Sequence, residues 1–250
     1  MTPESKPDVL TGRRPIVELL KAGRPIERIL IAQSARSAPV LAEIRRLAGA
    51  GSIPVQSVPA AQIDKLADGA NHQGVAAVTG RYRYSQLRDL LSGDAPTVVF
   101  LDGVMDPHNL GSILRSADGA GFDGIVIPTH RSAAVTQAVR RVSAGAAEVV
   151  PVARVGNLGG AMEEARKEGL WIVGLDGDAE DDVWSSDLLE PPVGLVLGSE
   201  DRGMSRVVRE KCDALVRIPS GGRLRSLNVA VAGAVAMFEV SRRRRASATL

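Results

Sequence analysis

Thr97-Val-Val-Phe-Leu-Asp-Gly-Val-Met-Asp-Pro-His-Asn-Leu-Gly-Ser-Ile-Leu-Arg-Ser-Ala-Asp-Gly-Ala-Gly-Phe-Asp-Gly-Ile-Val-Ile127 holds a strand, a helix and a second strand. Thr97 to Asp102 is a β-branched, apolar run of strand length. Pro107 favours an extended residue before it and Asn109 is a good N-cap, so a helix is expected from there to the Gly119/Gly121 stop. Gly124 to Ile127 then reads as the next strand. Further runs of the same kind follow at Glu148 to Val152, Trp171 to Leu175, Gly194 to Leu197 and Leu215 to Ile218, with helical patterns between most of them. Such alternation predicts a mostly parallel sheet with helices on both faces. Ser226 to Val240 is apolar nearly all round, so it must be buried, either in the sheet domain or against a second subunit. No internal repeat occurs.

Working toward the start of the chain, helical patterns at Ile16 to Leu20 and Val40 to Leu47 alternate with short apolar runs at Arg28 to Ala32, Ile53 to Val58 and Gly74 to Thr79. Residues 9–84 therefore read as a small α/β domain ending in the basic Arg81-Tyr-Arg-Tyr84. Residues 85–96 read as a linker, residues 97–245 as the larger domain, and residues 1–9 as a frayed end.

The 250 residues, 44% hydrophobic and 24% charged, suffice for a sizeable core and exclude disorder over most of the chain. The single cysteine, Cys212, excludes an internal disulfide and a thiolate zinc cluster, and no metal is expected. With no signal-like or membrane-spanning apolar run, the expected location is the cytoplasm, with no membrane partner. Aromatics at 3% argue against a base-stacking platform. The net charge of +2 is unevenly placed: residues 1–95 carry 13 Lys and Arg against 9 acids, and the remainder carries 18 against 20. Most of the cations are Arg, whose planar fork suits phosphate, although a GC-rich genome gives the same bias.

In parallel α/β sheets ligands bind beyond the carboxyl ends of the strands, so loops that follow strands carry the functional signal. Three are unusual. In the first, Gly111, Arg115 and Gly119 share one helix face, which would leave Arg115 open as a phosphate or carboxylate clamp; the spacing suits a solvated surface arginine equally. The second, Leu195-Val-Leu-Gly-Ser-Glu200, runs a strand straight into Gly198, where a ligand can approach the backbone. Glu200 there can accept from a ribose hydroxyl or a ligand amine, or cap the next helix. In the third, Val216-Arg-Ile-Pro219 leads through Gly221-Gly222 to Ser226-Leu-Asn228. Asn228, at the start of an apolar helix, requires a hydrogen-bond partner, whether functional or a cap.

Taken in order, Asn109-Leu-Gly-Ser-Ile-Leu-Arg115, Leu197-Gly-Ser-Glu200, and Ile218-Pro with Ser226-Leu-Asn228 resemble the three motifs of the SpoU (TrmH) family of RNA ribose 2′-O-methyltransferases. The resemblance covers about residues 97–240. Gly12-Arg-Arg-Pro-Ile-Val-Glu-Leu-Leu and Asn71-His-Gln-Gly-Val-Ala also resemble the small substrate-binding domain of the branch that methylates a guanosine of 23S rRNA. The resemblance implies a trefoil-knotted SPOUT catalytic domain, a homodimer, S-adenosylmethionine as cofactor and RNA as partner, with 23S rRNA favoured over tRNA or a resistance-type rRNA adenosine. By position it places the cofactor against Gly198, Ile218 and Leu227, and assigns Asn109, Arg115, Glu200, Ser226 and Asn228 to the active site. Many relatives have Met where this chain has Ser220. Because a guanidinium effectively never loses its proton, Arg115 is expected to hold the target phosphate and stabilise developing oxyanion charge; the hydroxyl proton would leave through water, the phosphate or the cofactor carboxylate.

Other features are weaker. Asp176-Gly-Asp-Ala-Glu-Asp181 lacks the glycine of a calcium loop at its sixth position and reads as an exposed acidic turn. His72, His108 and His130 lack metal spacing, and Arg242 to Arg245 read most simply as a solvated tail. Two rivals remain: a dinucleotide oxidoreductase, whose glycine cluster at Gly119 to Gly124 follows a helix instead of opening one, and a catalytically silent RNA-binding assembly protein on the same scaffold.

Overall fold

The computed structural model describes residues 8–67, 69, 71–222 and 227–247. In chain order the first elements are β1 (Asp8–Thr11), α1 (Arg13–Lys21), β2 (Ile26–Ala32), α2 (Pro39–Ala50), β3 (Val55–Val58), α3 (Ala60–Ala67) and β4 (Val75–Thr79). They are followed by α4 (Leu87–Leu90), β5 (Thr97–Leu101), α5 (Pro107–Ala120), β6 (Gly124–Pro128), α6 (Gln137–Val142), α7 (Ala146–Val149) and β7 (Val152–Val155). The last are α8 (Leu158–Lys167), β8 (Trp171–Leu175), β9 (Asp181–Asp182), β10 (Val193–Leu197), α9 (Arg206–Arg209), β11 (Ala214–Arg217) and α10 (Val229–Ser247). These elements group into two compact units: one takes the chain up to Arg83 together with Val135–Val149, the other Tyr84–Ala134 with Val150 onward.

In the first unit a mixed sheet runs β1-β4-β2-β3, with β2 parallel to β3 and antiparallel to β4. Strand β2 is buried on both faces, and the period of two sorts its side chains. Ile29 and Ile31 meet Ile16, Leu19 and Ile44 of α1 and α2, whereas Leu30 and Ala32 meet Val58 and Ile63 on the side of α3. Asp8 and Val9, expected to fray, pair with Thr79 and Val78 as the edge strand β1. The same unit contains α6 and α7, and here the reading of Glu148 to Val152 as a strand is corrected. Ala146–Val149 is helical, Glu148 is buried and bonded to Arg140, and the next strand starts only at Val152, after Pro151. A proline cannot donate to a ladder, which delays the strand.

In the second unit seven strands run in the order β7-β6-β5-β10-β8-β11-β9, and every neighbouring pair is parallel. The expected mostly parallel sheet is present. Because neighbours run the same way, Leu101, Leu197, Leu175 and Arg217 end four adjacent strands along one edge of the sheet. One face packs Phe100, Val126, Ile172 and Val196 against Met162 and Ala165 of α8. Leu90 and Leu91, within the stretch read as a linker, are buried in this same cluster. Helix α10 packs against α5 and β10 on the opposite face.

The arginine run at the end of α10 is no solvated tail. Arg242 and Arg243 both donate to the Glu239 carboxylate, and Arg243 also donates to the carbonyls of Trp184 and Ser186. Arg244 donates to the Gly121 carbonyl and the Thr97 hydroxyl. Carbonyls distant in sequence thus extend the helix to Ser247, well past Val240.

Candidate active site

Asn109, Glu200 and Asn228 are set by local chemistry near those strand ends. Helix α5 starts earlier than expected: Asp106, not Asn109, is the N-cap, its carboxylate accepting from the His108 N–H at 2.9 Å, with Pro107 in the first turn. Asn109 therefore lies inside the first turn, and its side chain is free to act elsewhere. It donates to Glu200 Oε2 at 3.3 Å. Asn228 donates through Nδ2 to Asn109 Oδ1 at 2.9 Å and to Glu200 Oε2 at 3.0 Å, while its Oδ1 accepts from the N–H groups of Ala230 and Val231. One amide both caps α10 and joins two residues from distant segments, so the hydrogen-bond partners that Asn228 requires are present.

This trio stands between two clefts. The first opens at the ends of β8, β10 and β11 and is lined by Gly198, Glu200, Ile218 and Leu227 together with Leu175 and Asp176. The second opens at the end of β5 and is lined by Asp102, Asn109, Glu200, Arg131 and Arg202. Glu200 is common to both. The first is walled mainly by aliphatic side chains and suits an apolar ring, whereas the second combines the carboxylates of Asp102, Asp106, Glu200 and Asp201 with two arginines.

Gly198 lines the first cleft, and its missing side chain also has a use within the chain. A Cβ there would lie 2.1 Å from the Gly203 carbonyl carbon and the Met204 nitrogen, so its missing side chain makes room for the protein's own returning loop. That loop closes through paired main-chain bonds between Ser199 and Gly203, and it aims Glu200. Arg115 is exposed on α5; no described residue pairs with its side chain, and it lines neither cleft. Gly111 is buried, but Gly119, one turn after Arg115, lies against half-exposed Phe238 of α10. Ser226 lies outside the described residues.

Sequence reasoning missed Asp176. The turn read as merely acidic and exposed supplies a wall of the first cleft, and its carboxylate accepts from Arg209 at 2.6 Å and the Asp178 N–H at 2.9 Å. Burial pushes this carboxyl up, and those two donors more than offset it, leaving it below the ordinary carboxylate value. The signal was present: Asp176, like Asp102, follows directly on a parallel strand. Cys212 is no nucleophile, since burial, helped by Asp213, pushes its thiol up to about 12. Among the described residues no group of three metal-ligating side chains is brought together.

Residues 96–238 match the sequence model of the SpoU rRNA Methylase family, and residues 9–85 that of the RNA 2′-O ribose methyltransferase substrate binding domain. The chain belongs to the SpoU rRNA methylase family. This SpoU family member is 44% identical over 245 residues to a protein of Staphylococcus saprophyticus named as a TrmH family tRNA/rRNA methyltransferase, covering 94% of this chain and 96% of the relative. A Bacillus subtilis protein of the same name is 40% identical, covering 95% and 96%. Among solved structures, the AdoMet-bound rRNA methyltransferase of Sinorhizobium meliloti superposes with a TM-score of 0.80 at 29% identity, covering 96% of this chain and 88% of that one. The SpoU methyltransferase AviRb of Streptomyces viridochromogenes in complex with AdoMet gives 0.79 at 27%, covering 95% and 90%. The oxidoreductase rival finds no support in these likenesses.

Proposed function

We propose that this protein is an S-adenosylmethionine-dependent RNA ribose 2′-O-methyltransferase, that its target is a guanosine of 23S rRNA, and that it works in the cytoplasm as a knotted homodimer. The observation that carries the reading is the convergence of Asn109, Glu200 and Asn228, from three distant loops, onto one another between an apolar cleft and a polar one. The substrate-binding match at residues 9–85 supports RNA as the substrate. Among the described residues no helix is long and apolar enough to cross a membrane, in keeping with that substrate.

The first cleft fits an amphiphilic nucleoside: Leu175, Ile218 and Leu227 offer apolar walls, and Asp176 and Glu200 offer acceptors for amine or hydroxyl groups. When bound there, S-adenosylmethionine supplies a methyl group already activated by its sulfonium. The chain's part is alignment and charge. Glu200, fixed by two amides that do not neutralise it, orients a ribose hydroxyl, and Asn109 braces it from the substrate side. Arg131 and Arg202 in the second cleft face the RNA backbone. Arg115 holds the target phosphate and stabilises the oxyanion, the proton leaving to water or phosphate, because a guanidinium keeps its own. Ser226 joins this set through the family resemblance.

Arg115 lines neither of these two clefts, so the reading has it act in the site of a second copy. Helices α5 and α10 present the surface for this: Phe238 and Val231 are half exposed, and Phe238 touches the stripe that carries Arg115. The strand order β5-β10-β8-β11, with α10 returning onto α5, is in keeping with the knot.

The test is transfer of labelled methyl from S-adenosylmethionine to rRNA of a deletion strain, followed by mapping of ribose methylation. One guanosine of 23S rRNA should gain the label. Calorimetric binding of S-adenosylmethionine without any transfer would leave the silent assembly protein standing instead. For Arg115, single-turnover rates of Arg115→Lys across pH should fall about 100-fold with an unshifted profile. A full rate at a displaced optimum would make Arg115 the base.

A further inference from the structure

The basic Arg81-Tyr-Arg83 segment at the end of β4 is used by nothing described so far. It borders a cleft of the first unit that also contains Arg24, Arg140 and Glu148, and an adjoining cleft shares Arg24, Arg83 and Glu148 and adds Lys21 and Glu18. The charges do not balance. Glu148 is spent on Arg140, with 2.6 Å between Nε and Oε1 and both side chains at most 3% exposed. Lys21 is matched by Glu18 and Glu43 at 3.6 and 3.3 Å. Arg24 donates through Nε only to the main-chain carbonyl of Glu148, at 3.2 Å, which cancels no charge. Arg81 and Arg83 are exposed, and no described residue pairs with either.

Three guanidinium groups thus surround the first hollow, whose lining carboxylate is already spent, and against them stands only the one charge that Lys21 leaves over between Glu18 and Glu43. Arg24 is further held in place by its bond to the α7 carbonyl. Arginine forks fixed around a depression are suited to phosphate oxygens, and several of them side by side suit consecutive phosphates of a chain better than a single small anion. Aromatic side chains are too few to supply base stacking, so contact here would be to backbone and independent of sequence.

We propose that Arg24, Arg81 and Arg83 form a phosphate-backbone site that grips the substrate RNA away from the methylated nucleotide. The proposal rests on the RNA methyltransferase reading and names where the first unit holds that RNA. It makes the first unit a source of affinity and leaves choice of nucleotide to other residues.

The test compares two full-length variants with equal change of charge: Arg81→Glu/Arg83→Glu in the cleft, and Arg45→Glu/Arg46→Glu on the exposed face of α2. Binding of a 23S rRNA transcript is followed by fluorescence anisotropy over a range of salt, and S-adenosylmethionine binding by calorimetry. The cleft variant should lose about tenfold or more in RNA affinity, and its log–log salt slope should flatten by roughly 1.4 to 1.8, as follows when two phosphates are no longer neutralised. The α2 variant should lose less than about threefold, and cofactor affinity should be unchanged in both. Equal losses in the two variants would mean a diffuse field and would overturn the site. So would displacement of the transcript by millimolar inorganic phosphate in the wild type but not in the cleft variant, which would mark a small-anion pocket. Arg81→Gln/Arg83→Gln keeps the test decisive if the charge reversal disturbs folding. Failure of the wild type to bind S-adenosylmethionine would count against the proposed function and not against this site.

Discussion

In the first unit Glu148 is 3% exposed and its carboxylate accepts from Arg140, itself buried and also bonded to Thr79. In the second unit Glu200 is exposed and its carboxylate accepts from the amides of Asn109 and Asn228. Each carboxylate lines a cleft; Glu200 is fixed by partners distant in the chain, Glu148 by one eight residues earlier. The difference is the kind of donor. A guanidinium cancels the charge it holds and, away from water, the pair becomes architecture. An amide supplies direction without charge, so Glu200 keeps its anion and spare lone pairs for whatever enters either cleft. On the proposed function, the carboxylate at work is the one that is positioned and yet unneutralised.

The strongest way to break this contrast is to remove Glu148. Glu148→Ala leaves Arg140 buried without a counter-charge, and the expected loss is about 3–5 kcal/mol of stability, read by denaturant unfolding. Affinity of the folded protein for S-adenosylmethionine should stay within twofold of wild type. A loss below about 1 kcal/mol would mean that water already reaches the pair, and Glu148 would no longer contrast with Glu200.

Glu200→Gln tests the other side. The amide can still accept from Asn109 and Asn228, so the loop should keep its place and the thermal midpoint should stay within a degree or two of wild type. Single-turnover methyl transfer should nevertheless fall about 100-fold, or roughly 2.7 kcal/mol, through loss of the charge that orients the ribose. A variant within threefold of wild type would reduce Glu200 to a loop-shaping residue of the same kind as Gly198.

The period of alternation made the parallel sheet legible, because β-branched runs of strand length and helices of 3.6-residue period differ at every position. The site was legible as an ordered set only. Asn109, Glu200 and Asn228 each had a bland alternative, and their spacing along the chain says nothing of a common hydrogen-bond network. What stayed hidden depended on partners that composition does not name. Glu148-Val-Val has the composition of a strand, yet Ala146–Val149 is helical and Glu148 forms a buried ion pair with Arg140, eight residues earlier. Gly198 suggested an approaching ligand, and the close approach of the Gly203 backbone is a second demand on it that the local sequence did not announce. Arg243 looked like part of a solvated run because the carbonyls of Trp184 and Ser186 that it reaches lie nearly sixty residues earlier. The excursion of residues 135–149 into the first unit had no local signal at all.

Glu239 sharpens the contrast further, since it lies in the same unit as Glu200 but is held as Glu148 is. Its carboxylate is 4% exposed and accepts from Arg242 and Arg243. The Arg242 bond lowers its pKa most, burial opposes, and Arg243 lowers it again, with a net value below the ordinary glutamate range. Arg242 is largely exposed and screened by water, so the Arg243 contact, at 10% exposure, should carry more of the stability. A depressed folded value means that the stabilisation is complete above the unfolded pKa of about 4.3 and disappears as pH falls through the lower folded one. Glu239→Gln should therefore cost about 1–2 kcal/mol near neutral pH, and the gap from wild type in urea unfolding should close toward about pH 3. Methyl transfer should be unaffected at neutral pH. A gap independent of pH would show that packing at the end of α10, and not the ionised carboxylate, holds Arg243 on its carbonyls; saturation by arginine would then fail as the property that separates Glu239 and Glu148 from Glu200.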